Sequence, residues 1–115
     1  IGIMLPKEFR LHKDKDIKGL AKTGQTFFLP EFIIKYQKQA NQDLKIGFVV
    51  STKVDKRAVV RNKLKRQMRQ AIHDKLLDIK KGHFILIIAK KKALELDFET
   101  ISKQLEFALK KSKCL

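Results

Sequence analysis

The sequence predicts an α+β fold in the order αβββαβα, a two-layer sandwich with helices packed on one four-stranded sheet. Three observations lead there. Apolar residues recur at helical spacing in three stretches, and four other stretches are short and rich in Val, Ile, Phe or Tyr. Gly24, Pro30 and Gly82 fall between these stretches, where turns belong. The 115 residues, 43% of them apolar, suit a single domain spanning 1–115 with one modest core.

Residues 5–11 are expected to be extended, anchored by Phe9 and Leu11. Met4 is a candidate native start, which would leave Ile1, Gly2 and Ile3 as an added remnant. Asp14 or Asp16 can cap a short helix with apolar positions Ile17, Leu20 and Ala21, and Gly24 is its expected stop. Gly19 weakens that helix by about 1 kcal/mol relative to Ala, so it depends on tertiary packing. Residues 26–29 read as a short strand broken at Pro30, which cannot donate to a ladder. Residues 31–37 and 44–51 read as longer strands around the polar turn 39–43, expected to pair as an antiparallel hairpin. A basic helix follows over residues 57–77 and ends at Lys80, Lys81 and Gly82. Residues 84–89 are a continuous apolar run, which points to a central strand buried on both faces. Asp97 caps a last helix with Phe98, Ile101, Leu105, Ala108 and Leu109 on one face.

The chain holds 27 Lys+Arg against 12 Asp+Glu, a net charge of +15. That excess is beyond what solubility needs and implies a polyanionic partner. Nucleic acid is favoured over a membrane, because no apolar run approaches the roughly 20 residues that span a bilayer. The apolar start is too short for a signal peptide and stops at Pro6. Cys114 is the only cysteine, so no intrachain disulfide can form, and a reducing cytoplasm fits.

The charge concentrates in the middle helix. From Lys56 to Arg69 there are seven basic residues: Lys56, Arg57, Arg61, Lys63, Lys65, Arg66 and Arg69. There is no acid among them. At 3.6 residues per turn, Val60, Leu64, Met68, Ala71 and Ile72 share one side, while Asn62, Arg66, Arg69 and His73 share the opposite one. Arg61 and Lys65 lie along one flank, and Lys63 along the other. A merely solvated face is the plain alternative. Four of the seven cations are Arg, however, whose planar fork suits phosphate. Asn62 is a poor helix former that solubility does not require, and it brings both a donor and an acceptor.

Other constellations are weaker. His12, His73 and His83 show no metal-ligand spacing with the distant Cys114. His73 could move a proton, but a surface or RNA-bonded histidine explains it better. Asp14 and Asp16 suit a helix N-terminus at least as well as a metal. One of Phe27 and Phe28 must face away from the core and could stack on a base. Lys90, Lys91 and Lys92 fit either a phosphate contact or a solvated turn. No Gly-rich phosphate loop or Ser-His-Asp set is present.

Arg61, Asn62, Lys63, Lys65, Arg66 and Arg69 meet every defined position of an R-N-(R/K)-x-K-R-x-x-R helix. With its flanks, this stretch resembles the protein subunit of bacterial ribonuclease P. The likeness extends to Arg10 and Leu11, Gly24, the Leu44-Lys45-Ile46-Gly47 strand and residues 84–91. The resemblance implies an accessory subunit of an RNA enzyme that removes the 5′ leader of precursor tRNA, with catalysis by the RNA and Mg²⁺. It implies that the basic helix and the nearby loop bind ribonuclease P RNA, and that a cleft between the sheet and the first helix binds the leader. It also implies a left-handed crossover from third to fourth strand, against the usual rule. No membrane or protein partner is implied.

By motif position the RNA-contact candidates are Arg61, Asn62, Lys63, Lys65, Arg66 and Arg69; Lys53 matches a basic position the family keeps before the helix, and Arg57 at the helix start is a further candidate. The family often has two basic residues before the helix, and Thr52 replaces the first. Ile17 and Ala21 stand where members often carry aromatics facing the leader, and Lys35 stands where some carry Tyr. Each lost aromatic would weaken base stacking by about 1–3 kcal/mol. Phe27, Phe28, Phe32 or Tyr36 are the available replacements in that cleft. The competing readings are a structural protein of another ribonucleoprotein, such as a ribosomal protein, and a nuclease in its own right.

Overall fold

The computed structural model describes residues 9–11, 13–40, 43–112 and 114. The candidate start at Met4, the beginning of the extended segment and His12 lie outside the described residues. The elements are α1 (Asp14–Thr23), β1 (Gln25–Phe28), β2 (Phe32–Lys38), β3 (Leu44–Val49), α2 (Ala58–His73), β4 (His83–Ala89) and α3 (Phe98–Lys111), with a 3₁₀ segment at Lys91–Glu95. The four strands form one mixed sheet in the order β1-β2-β4-β3.

β4 takes an interior position because both of its faces are apolar. Ile85, Ile87 and Ala89 join the core formed with α2 and α3, while Leu86, flanked by Phe84 and Ile88, packs against Leu11 and Leu20. Only a strand paired on both sides and covered on both faces shields such a run. This overturns the expected hairpin of β2 and β3. β4 lies between them, antiparallel to β2 and parallel to β3. The connection after β2 therefore steps over β4. Two interstrand spacings are roughly 10 Å, which a five-residue link spans easily.

Each helix is placed by its apolar stripe. On one face of the sheet, Leu64, Met68 and Ile72 of α2 meet Ile101, Leu105 and Leu109 of α3 over Ile34, Ile46, Ile85 and Ile87. On the other face, α1 contributes Leu20 and the half-buried Ile17. Thus α1 adds a partial cover opposite the main core.

Helix ends differ in detail from the expectation. Neither Asp14 nor Asp16 caps α1. Lys13 is its N-cap without a side-chain bond, and both aspartates sit in the first turn, where they complement the helix dipole. Gly24 ends α1 through close approach, at φ −71°. A Cβ there would lie 2.6 Å from the Leu20 carbonyl oxygen. α2 stops at His73 rather than at residue 77. The amides of Lys75 and Leu76 bond back to the Ile72 and His73 carbonyls, three residues away, which tightens the chain into turns. Leu77 is fully exposed and gives the helix no reason to continue. Asp97 caps α3 as expected, its Oδ1 accepting the Thr100 amide at 2.8 Å. That bonding from Thr100 holds the Asp97 carboxyl below the usual carboxylate range.

Candidate nucleic-acid interface

The seat of α2 fixes what its outer face presents. Leu64, Met68, Ala71 and Ile72 are buried, so Asn62 and Arg66 stand exposed on the far side, with Lys63 exposed on one flank. Among the described residues their side chains have no hydrogen-bond or ion-pair partner, and Lys53 before the helix is likewise exposed and unpaired. Lys65 on the other flank is half-buried, and so is Arg69, which the wheel places on the open side with Asn62 and Arg66. The Nε of Arg69 is shielded and finds no partner among the described residues. An unsatisfied buried donor costs about 1–3 kcal/mol, so packing alone gives no reason for Arg at this position.

Arg57 and Arg61, both expected to contact RNA, also have partners within the chain. The Asp55 carboxylate accepts from the Arg57 amide at 2.8 Å, from its Nε at 3.1 Å and from its Nη2 at 3.0 Å. Arg61 Nη1 donates to the Asp55 and Lys56 carbonyl oxygens at 3.1 and 2.7 Å. These bonds hold the loop entering α2. Hydrogen bonding by the Arg57 side chain brings the Asp55 carboxyl down to about 2. The first turn of α2 has no acid, so Asp55 is the anion nearest its positive end.

The second candidate surface lies on the α1 face of the sheet. Register places Thr26, Phe28, Ile33 and Lys35 on that face, with Phe84, Leu86 and Ile88 beside them. Lys35 Nζ donates to the Ala21 carbonyl at 3.3 Å and to Thr26 Oγ1 at 3.4 Å, tying β2 to α1. Ala21 is exposed and Ile17 is half-buried. Phe28 is 67% exposed.

The remaining aromatics expected in this cleft are not there. Phe32 is fully buried in the core on the opposite face. Phe27 and Tyr36 share that opposite face and pack against the same core. The Phe27 ring lies 6.2 Å from the ring of Phe107 on α3. Period-two alternation separates Phe27 from Phe28, and Phe32 and Tyr36 from Lys35, so one cleft cannot hold all of them. Phe84 was missed. It is partly buried on the α1 face, and the alternation of β4 was the signal that could have found it.

Among the described residues no three His, Cys, Asp or Glu side chains gather into a group that could hold a metal ion. No helix among them is long and apolar enough to cross a membrane. The described residues thus present exposed cations on α2 and exposed ring surface at Phe28.

A family model described as Ribonuclease P matches residues 5–113. The Ribonuclease P protein component of Bacillus pumilus is 36% identical over 109 residues, covering 94% of this chain and 91% of that protein. The component from Listeria monocytogenes serotype 4b is 32% identical over 112 residues, covering 96% and 93%. Among solved structures, a Staphylococcus aureus RNase P protein mutant with defective mRNA degradation activity matches with TM-score 0.87 at 27% identity, covering 95% of this chain and 92% of that one. The RNase P protein from Thermotoga maritima matches with TM-score 0.80 at 31% identity, covering 89% and 96%.

Proposed function

The chain belongs to the ribonuclease P protein family, and from that premise we propose that it binds ribonuclease P RNA and the 5′ leader of precursor tRNA, so that the leader is removed to give the mature 5′ end. The observation behind this reading is the row Asn62, Lys63 and Arg66 on α2, exposed and without partners among the described residues. Arg66 can fork onto a phosphate, Lys63 adds a point charge, and Asn62 can both donate and accept.

The hydrolysis itself is assigned to the RNA with Mg²⁺. The protein neutralises phosphates with Lys53, Lys63, Lys65, Arg66 and Arg69, while Arg57 and Arg61 keep the helix entry in place. The leader is assigned to the α1 face, where Phe28 and Phe84 offer ring surface and Ala21 leaves room beside Lys35. A cytoplasmic location belongs to the same proposal and rests on the single cysteine.

The test incubates precursor tRNA with the protein alone, with a bacterial ribonuclease P RNA alone, and with both at low Mg²⁺. Cleavage in the combined reaction only is the expected result. Cleavage by the protein alone would overturn the assignment of chemistry to the RNA.

A further inference from the structure

A basic cavity opens at the end of the sheet where α1 gives way to β1. It has a volume of about 620 Å³ and is bordered by Tyr36, Lys38, Lys80 and His83, with Gln25 and Ser112 completing the wall. Its size suits a nucleotide. No carboxylate lines it. The Lys38 and Lys80 side chains are exposed and make no ion pair or hydrogen bond among the described residues. His83 Nδ1 lies 3.2 Å from the Lys80 carbonyl oxygen, which fixes the ring and leaves Nε2 outside that contact. Tyr36 packs its body on the core and presents the remainder to the cavity. Two ammonium groups, an imidazole and a phenol around a space free of acids make a site for a phosphate with an attached base.

The cavity is continuous with the α1 face. Thr23 and Gln37 also border it, and Gln37 Nε2 reaches Thr23 Oγ1 at 3.5 Å, across the junction of α1 and β2. The same junction carries the Lys35 bond to Ala21. A single strand lying along α1 would meet the cavity at the Thr23 end of the helix.

We propose that this cavity is a further single-stranded-RNA subsite, which takes one nucleotide of the leader beyond those on the α1 face. Lys38 and Lys80 hold the phosphate, and the base rests against Tyr36. This rests on the leader assignment made above.

The test uses holoenzyme reconstituted with ribonuclease P RNA and precursor tRNAs with leaders of graded length. For Lys38→Ala/Lys80→Ala, long-leader precursors should bind roughly tenfold more weakly, and the salt slope should shrink by about 0.7, one single-strand phosphate. Short-leader precursors and the affinity for the RNA subunit should not change. Lys38→Gln/Lys80→Gln should behave alike, with melting temperatures checked for both because the two positions are exposed. No change at any length would overturn the subsite. Equal weakening at every length would also overturn it, and would place the cavity against the catalytic RNA or the tRNA body. If wild-type affinity shows no dependence on leader length, the leader assignment itself fails. If that dependence is intact but indifferent to both variants, only the subsite fails.

Discussion

Asp55 and Arg57 clasp each other two residues apart, the carboxylate taking the arginine's amide, Nε and Nη2 together. The clasp sits where the chain enters its most cationic helix. The helix N-terminus repels the cations gathered there, and one aspartate at the entrance offsets part of that repulsion. Arg61 reinforces the loop from the helix side. Two of the arginines expected to contact RNA therefore also hold the loop that enters α2.

The clasp makes a pH prediction. The Asp55 carboxyl falls from its ordinary 3.8 to about 2 on folding. Its contribution to stability is therefore present above the ordinary value and is lost as pH falls through about 2. Asp55→Asn should be less stable than wild type near neutrality, and the gap should close across that acid window. Urea unfolding along a pH series measures it. A gap that stays constant through the window would mean that the ion pair is not the source.

Charge removal on α2 should separate binding from folding. Arg66→Ala should leave the melting temperature unchanged, because Arg66 is exposed and unpaired among the described residues. RNA affinity should fall, and the slope of log affinity against log salt should shrink by about 0.7–0.9. Arg61→Ala should instead lower both stability and affinity, since its Nη1 bonds to two loop carbonyls would be lost. Equal behaviour of the two variants would contradict the division between contact and support.

The helix face was legible in the sequence because its seat is dictated by period. Leu64, Met68, Ala71 and Ile72 are buried where the wheel puts them, and Asn62 and Arg66 are exposed opposite. The α1 face was less legible for the same kind of reason. Its membership depends on strand parity, and Phe27, Phe32 and Tyr36 have the wrong parity relative to Phe28 and Lys35. Strand order was hidden too. A short polar link between two strands suggests a hairpin, and only the two-sided burial of β4 shows why another strand intervenes. The partners of Arg57 and Arg61 lie in a loop whose path no periodicity specifies.

Gly24 provides a check on how α1 is joined to the sheet. A Cβ there would meet the Leu20 carbonyl oxygen at 2.6 Å, Leu20 Cδ1 at 2.7 Å and the Tyr36 carbonyl oxygen at 3.2 Å. Two of these are backbone atoms that cannot simply rotate away. Gly24→Ala should cost about 1–3 kcal/mol in chemical unfolding. Gly19, whose Cβ position is open, serves as the control. Gly19→Ala should stabilise the helix by about 0.5–1 kcal/mol.

The two faces of the sheet can be told apart by a pair of aromatic truncations. Phe32 is fully buried among the α2 and α3 side chains, so Phe32→Ala should cost about 3–5 kcal/mol of stability. Phe28 is 67% exposed on the α1 face, so Phe28→Ala should change stability by no more than about 0.5 kcal/mol. If the leader stacks on that face, the same Phe28 change should weaken precursor binding by about 1–3 kcal/mol while sparing mature tRNA. Parallel denaturation and holoenzyme titrations measure both quantities. Unchanged precursor binding with Phe28→Ala would remove Phe28 from the leader site and leave Phe84 as the aromatic to truncate next on that face.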